Sequence, residues 1–457
     1  MNIELLQPIP THKGTALLGV LPKLVSQDPY EYLKGVMLDQ GDLVRLDFVF
    51  QSVYLASSPD YVQRILRDNY QNYRKPNLFY NGVREIAGNG LVGNTGESWL
   101  RQRRMIQPQL HRKQLTIIFN EMSAAIAEVL DRWGDLAQKH TEVELSDKIA
   151  EITINVIGRT MFGRGTLSDS EITEVGHSAV RMIRYLGETL FTGMLPKWIP
   201  KPGETEFHQD LDFVRKTVGG IITKCRAHKE EAASLIQMLI NVVDEETNEE
   251  MDEQQLFDEV MTIFLAGYET TATALTWLFV ALKDHPDVLQ KLQAEADQVL
   301  GNKEPSFEDV MRLTYARKVF MEVMRMYTTV PFLPRETVQE DQLGNHHIPA
   351  KSTVLVFYHG VHHNPNVWKD PEVFDPERFT PEAMNGHHPF AFIPFSAGPR
   401  KCAGDEFALM EGPLVMAMLL RKYDVHLLPG QTFPTKVGAT MRPANGVKAT
   451  FSMRNSA

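Results

Sequence analysis

The chain has 457 residues, 43% hydrophobic and 23% charged, a balance that builds a globular core and excludes a disordered or fibrous protein. A net charge of −11 argues against general affinity for nucleic acid, and two cysteines, Cys225 and Cys402, are too few for a disulfide framework. In a reducing compartment, here expected to be the cytoplasm, a cysteine serves chemistry or fills a small apolar space.

The first apolar stretch, "GTALLGVLPKLV" (14–25), is interrupted by Pro22 and Lys23 and is shorter than the roughly 18–20 residues a membrane span needs. It also lacks the ordered parts of a signal peptide and reads as a surface-packed entry segment, so no membrane anchor is expected. "DPYEYLKGVMLDQG" then starts on Asp28 and Pro29 and stops at Gly41, a short capped helix. "LVRLDFVF" and "SVYLASS" alternate as two strands of a hairpin, and a helix follows from "SSPDYVQRIL". From Trp99 to about Gly301 nearly every window is helical, with breaks at Pro108, "GRGTLSD" and "PKWIPKPGE". The acidic "DEETNEEMDEQQ" reads as a solvated turn. After about Ile348 come short strands and Pro-rich irregular chain, then one helix after Cys402 and a closing β region. No linker separates blocks of different composition. The expectation is one mainly α domain with small β-sheets, over residues 1–457.

The longest helix runs from about Asp252 to Lys283, roughly 48 Å at 1.5 Å per residue. It is apolar almost all round and should be buried. Yet its middle reads Ala266-Gly267-Tyr268-Glu269-Thr270-Thr271, with a glycine and paired β-branched residues that a helix interior disfavours. Local rules broken where burial is deepest point to a functional site. Gly267 removes bulk on the turn before Thr270 and leaves room for a small ligand. The competing role for Thr270 is back-bonding to the carbonyl four residues earlier.

Cys402 sits in "FSAGPRKCAGDEF" (395–407), a basic, Gly- and Pro-broken loop that opens into a helix. It is a buried small residue, a nucleophile activated by Arg400, Lys401 and the helix N-terminus, or a thiolate ligand of haem iron. The surroundings suit the last. Gly398 and Gly404 let a flat ligand and backbone approach closely, Phe395 can pack on a ring, and Arg400 supplies a bidentate cation for a carboxylate.

The loop resembles the haem-binding segment of the cytochromes P-450, Phe-x-x-Gly-x-Arg-x-Cys-x-Gly, at Phe395, Gly398, Arg400, Cys402 and Gly404. Further signatures follow the family's order: Trp99 and Arg103 in "WLRQR", "AGYETT", Glu322 and Arg325 in "EVMR", and Arg378 in "DPERF". The resemblance, to the soluble bacterial type, implies haem b buried between the long central helix and the Cys-loop helix, with Cys402 as axial ligand. It implies haem contacts from Phe395, Gly398, Arg400, Gly404, Trp99, Arg103 and Arg335. It makes Glu322, Arg325 and Arg378 a buried structural triad. Thr270 and Glu269 become the proton-delivering pair beside O2, since a thiolate ligand favours O–O cleavage.

The same resemblance brings Leu91 and Val92 of "GNGLVGNTGESW", with Ala266, Val330 and Phe332, to the substrate pocket. Their apolar character implies a largely hydrocarbon substrate: fatty acid, terpenoid or steroid. Two departures count against a plain fatty acid. Thr328 stands where the family usually has proline, and "FVFQSVY" lacks a basic residue to hold a carboxylate. Only 55 residues follow Cys402, so no fused reductase is expected. Electrons would come from a ferredoxin or flavodoxin with its reductase, docking on a monomer near Arg103, Arg104, Arg112, Lys113 and Lys401. The rival functions are a peroxide-driven peroxygenase and a non-catalytic haem sensor. His359, His362 and His363 are close enough in sequence to suggest zinc, but Asn364-Pro365 breaks the chain and no further ligand lies at metal spacing. His387-His388 takes no role, and Cys225 reads as a free thiol at a charged helix end.

Overall fold

Asp28 caps the helix Pro29–Gln40: its carboxylate accepts the amides of Tyr30 and Glu31, and Gly41 ends the helix at φ +103°. The expected hairpin follows as Leu43–Asp47 and Ser52–Ala56, antiparallel with Leu43 opposite Ala56. The computed structural model describes residues 7–15, 18–48, 52–166, 168–189, 203–227, 234–435 and 438–454. Parts of the entry segment and of the "GRGTLSD" and "PKWIPKPGE" breaks lie outside them.

The chain gathers into two compact units, one of residues 1–79, 321–402 and 433–445, the other of 80–320, 403–432 and 446–457. The first unit is built on a six-stranded sheet. Its order is Thr11–His12, Leu43–Asp47, Ser52–Ala56, Thr353–Val356, Leu333–Thr337 and Tyr73–Arg74. Strand Ser52–Ala56 is buried on both faces. Tyr54 and Ala56 join a cluster with Val354, Val356 and Ile393, while Val53 and Leu55 join one with Leu33, Val36 and Leu355. That two-sided burial explains why Val53, Tyr54, Leu55 and Ala56 are all apolar, where the sequence pattern reads as alternating.

The second unit is helical. Its central helix, Glu253–Leu282, starts on Asp252, whose side chain accepts the Gln255 amide. It packs along Leu145–Phe162, which packs in turn on Arg112–Arg132. It is the one described helix long and apolar enough to cross a membrane, but 67% of its most apolar window is buried inside the protein, as in a core helix. Helix Asp405–Lys422 follows Cys402. A three-stranded sheet of Tyr423–Leu427, Lys448–Met453 and Val143–Glu144 closes the unit, with Trp133 stacked 4.8 Å from Phe451.

Two features depart from the sequence reading. Val143–Glu144 is a strand inside a region read as helical, because Lys448 and Ala449 offer it a partner from the far end of the chain. The acidic stretch is not simply solvated. Asp244 is only 1% exposed and accepts two hydrogen bonds from Arg104, both at 3.0 Å, which hold its carboxyl down at about 2.

Candidate functional site

In the first unit the cysteine loop is shaped by backbone. The Cys402 amide donates to the Phe395 carbonyl at 2.8 Å, and a 3-10 turn, Gly398–Arg400, lies between them. Ser396 is held at φ +60°, a strained value for a side-chain-bearing residue, and its hydroxyl bonds Tyr358 at 2.8 Å. Gly398 has φ +68°, and a Cβ there would lie 1.9 Å from the Leu66 carbonyl oxygen. Its missing side chain is therefore demanded by the close approach of the protein's own backbone. Cys402 is exposed, while Phe395 and Arg400 are half-buried.

The triad assembles. Arg325 grips Glu322 with two bonds, Nε to Oε2 at 2.7 Å and Nη2 to Oε1 at 2.8 Å, and both side chains are fully buried. Arg378 Nε stands 3.6 Å from Glu322 Oε1, and its other nitrogens cap the carbonyls of Lys369 and Asp370. Removing one member would strand a buried charge, at about 3–5 kcal/mol.

His359, His362 and His363 are buried, in the helix Tyr358–His362 and just after it. No group of three or more metal-ligating side chains occurs among the described residues. His362 accepts the Ile393 amide on Nε2 at 3.0 Å, and its Nδ1 faces the Thr328 hydroxyl at 2.9 Å. Burial holds the ring neutral, far below its ordinary value. Thr328, the departure from the family's proline, is thus a polar partner within the core. Arg335 lies buried on Leu333–Thr337, donating Nη1 to the Pro334 carbonyl at 2.9 Å. Val330 is half-buried, and Phe332 packs 6.3 Å from the Tyr30 ring against the sheet's core.

In the second unit the central helix changes character at its middle. Ala266 is exposed, and Gly267, Glu269 and Thr270 are half-exposed, between long buried stretches. Ala266 and Thr270, four apart, form one strip. The Thr270 hydroxyl donates to the Ala266 carbonyl at 2.9 Å, the back-bond weighed from sequence. Gly267 does not open space for a small ligand: a Cβ there would lie 2.9 Å from Ile157 Cδ1, so the glycine serves helix packing.

Leu91 is half-buried and Val92 41% exposed, on a loop held by hydrogen bonds to the central helix. Trp99 is buried on Gly96–Ile106, and Arg103 Nε donates to Gln107 at 2.7 Å. A Cβ at Gly404 would meet no protein atom within 4 Å, so the protein alone does not require that glycine. Of the basic set, Arg104 is committed to Asp244 and Glu246, whereas Arg112 and Lys113 are exposed.

One residue escaped the sequence reading. Glu411, in helix Asp405–Lys422, is fully buried, and among the described residues no well-formed hydrogen bond reaches either carboxyl oxygen. Burial pushes it up to about 8, only partly offset by Thr271, the neighbour of Thr270. The signal was present: Phe407, Ala408, Leu414 and Val415, its helical neighbours, are all apolar.

These features fit a haem with a thiolate ligand. In the first unit the loop presents an accessible sulfur at the end of a backbone-fixed turn, and in the second the central helix leaves Ala266 exposed and Thr270 half-exposed. A family model described as Cytochrome P450 matches residues 9–451. A carotene epsilon-monooxygenase of Arabidopsis thaliana, chloroplastic, is 31% identical over 92% of this chain and 81% of its own length. A cyclooctat-9-en-7-ol 5-monooxygenase of Streptomyces melanosporofaciens is 30% identical over 88% of this chain and 86% of its own. The crystal structure of the cytochrome P450DA heme domain superposes with a TM-score of 0.89 over 98% of both chains, at 24% identity.

Proposed function

This chain belongs to the cytochrome P450 family, and on that premise we propose that it is a terpenoid-directed monooxygenase served by a separate ferredoxin or flavodoxin system. As a family member it is a haem-thiolate oxidoreductase that acts with O2. In the proposed reading residues 1–457 act as one catalytic domain, with Cys402 as the iron ligand. Arg400, Trp99, Arg103 and Arg335 would hold the haem propionates, and Phe395 would pack beside the sulfur ligand. When bound, haem with a thiolate ligand supplies the activation of dioxygen. The chain's own part is to hold an apolar substrate over the Ala266–Thr270 strip, exclude water and accept, at Thr270 Oγ1, a hydrogen bond from the proton-bearing group above it, with Glu269 as the acid that supplies protons.

The observation that carries this reading is that strip: an uncovered small-residue surface with a hydroxyl and an acid beside it, between long, mostly buried stretches of the same helix. The substrate class is supported by two points. One monooxygenase relative is named for carotene, a terpenoid hydrocarbon, and the other for cyclooctat-9-en-7-ol, a terpenoid alcohol. On the hairpin, Arg45 is engaged with Ser52 at 3.0 Å and Asp47 at 3.4 Å rather than left for a fatty-acid carboxylate.

The test is a Soret-shift screen setting cyclic terpenoids against long-chain fatty acids, followed by turnover with O2 and surrogate redox partners. Terpenoids are expected to shift the band at lower concentration. Thr270→Ala is expected to bind them normally while product per reduced nicotinamide consumed falls several-fold. Equal coupling in the alanine variant, or turnover with peroxide and none with O2, would overturn the proposed mechanism.

A further inference from the structure

Two adjacent carboxylates of the central helix hold the loop that carries Leu91 and Val92. Asp258 Oδ2 accepts the Asn89 amide at 2.8 Å, and Glu259 Oε2 accepts the Leu91 amide at 2.9 Å. Both acids are buried, Glu259 completely. Gln254 donates to the other Asp258 oxygen at 2.7 Å and so fixes that carboxylate's rotation.

The loop is drawn in so closely that its glycines are obligatory. A Cβ on Gly90 would lie 2.0 Å from Thr262 Oγ1, and one on Gly88, at φ +54°, would lie 2.2 Å from Asp258 Oδ1. The other side of the loop is tied as well. Gln102 donates to the Asn89 carbonyl at 2.8 Å and accepts from Asn94 at 2.9 Å, and Arg84 donates to the Gly93 carbonyl at 3.0 Å. Leu91 and Val92 therefore project from a backbone fixed on both flanks.

Helical spacing says where that backbone sits. Glu259, Thr262, Ala266 and Thr270 follow one another by three, four and four residues, so they share a face. Leu91 is anchored at Glu259, about 10 Å before Ala266 along the helix. A charged acceptor makes a shorter and more directional bond to an amide than an apolar contact could, and it fixes main chain rather than side chain. A buried carboxylate is otherwise unfavourable, so a role in placement accounts for its presence.

We propose that Asp258 and Glu259 are positioning residues that set the height of the Leu91–Val92 wall along the Ala266–Thr270 strip, and thereby the shape of ligand admitted there. This rests on the reading of that strip and of Leu91 and Val92 as pocket surface. Side chains at 91 and 92 then set the size of the space, while Glu259 sets where the wall stands.

The test compares the holoenzyme with Glu259→Ala, Glu259→Gln and Val92→Phe. Two readouts are used: deuterium exchange in the peptide covering 88–94, and the Soret-shift dissociation constants of imidazole and 4-phenylimidazole. Glu259→Ala is expected to speed exchange and to change the 4-phenylimidazole constant about tenfold relative to imidazole. Glu259→Gln, which keeps an acceptor for Leu91, is expected to restore both. Faster exchange with an unchanged ratio of constants would overturn the proposal. If Val92→Phe alters the ratio and Glu259→Ala does not, the positioning role fails while the pocket reading stands. If neither alters it, the pocket reading itself has failed.

Discussion

His362 gives its Nδ1 proton to the hydroxyl of Thr328 across 2.9 Å. The direction follows from the other nitrogen, which accepts the Ile393 amide at 3.0 Å, leaving a neutral ring one proton and one place to carry it. Thr328 in turn bonds the Arg325 carbonyl at 3.1 Å, and Arg325 Nη1 donates to the His362 carbonyl at 2.9 Å. The ion pair with Glu322 is thus joined through Thr328 and His362 to Ile393, two residues before Phe395 opens the cysteine loop.

Thr328→Val should leave the buried His362 donor unsatisfied. The expected loss is about 1–3 kcal/mol of stability, read as a lower urea midpoint, together with a smaller fraction of chain retaining haem. Thr328→Ser should recover most of both. An unchanged midpoint in the valine variant would show that the imidazole finds another acceptor.

Glu411 gives a pH dependence of known sign. In the folded chain its carboxyl is raised from an ordinary 4.5 to about 8. Between those values the unfolded chain loses the proton and the folded chain keeps it. Its contribution is therefore full below about pH 4.5 and is lost as pH rises through about 8. Glu411→Gln should overtake the parent in stability on going from pH 5 to 8.5, by on the order of 4 kcal/mol. Urea curves at pH 5, 7 and 8.5 measure it, and parallel pH profiles for the two proteins would remove the buried neutral acid.

The loop's two glycines should behave differently. Gly398→Ala drives a methyl into the Leu66 carbonyl at φ +68° and should cost several kcal/mol or prevent folding. Gly404→Ala, at φ −96° with open space around it, should change stability of the haem-free chain by no more than about 0.5 kcal/mol. Any loss of haem affinity in that second variant would then report on the prosthetic group alone. Haem titration and denaturation of both variants separate the cases.

Electron supply can be tested on the exposed cations. Arg112→Glu with Lys113→Glu should slow reduction by a small acidic ferredoxin. The parent's own rate should fall with added salt, since exposed charges are screened over about 8 Å at physiological ionic strength. Arg104→Gln should instead lower stability, because its partner Asp244 is buried. Stopped-flow reduction against ionic strength is the measurement, and a flat salt profile would exclude docking through these residues.

Much of this was legible in the sequence because the informative contacts are local or periodic. Asp28 and Asp252 announce their helices by position, and Glu322 with Arg325 lies one turn apart. What was misread, or read without its partner, depends on residues distant in the chain. Gly267 is explained by Ile157, Gly398 by Leu66, Asp244 by Arg104, and the strand Val143–Glu144 by Lys448 and Ala449. The three histidines looked like one cluster because they are close in sequence. The fold gives His362 its own pair of polar partners and sets His363 against the ring of His359, centroids 4.1 Å apart.

The back-bond of Thr270 also gives the strip a polarity. Its one hydroxyl proton is spent on the Ala266 carbonyl, so towards the strip the oxygen can only accept. A guest that brings an O–H is held there, while one that brings only a carbonyl finds no donor from this side chain. An alcohol should therefore reside longer than the ketone of the same skeleton, a difference that Soret-shift dissociation kinetics on a matched pair would show and that Thr270→Val should abolish. Equal residence times in the parent would mean that the hydroxyl turns away from its carbonyl when a guest arrives.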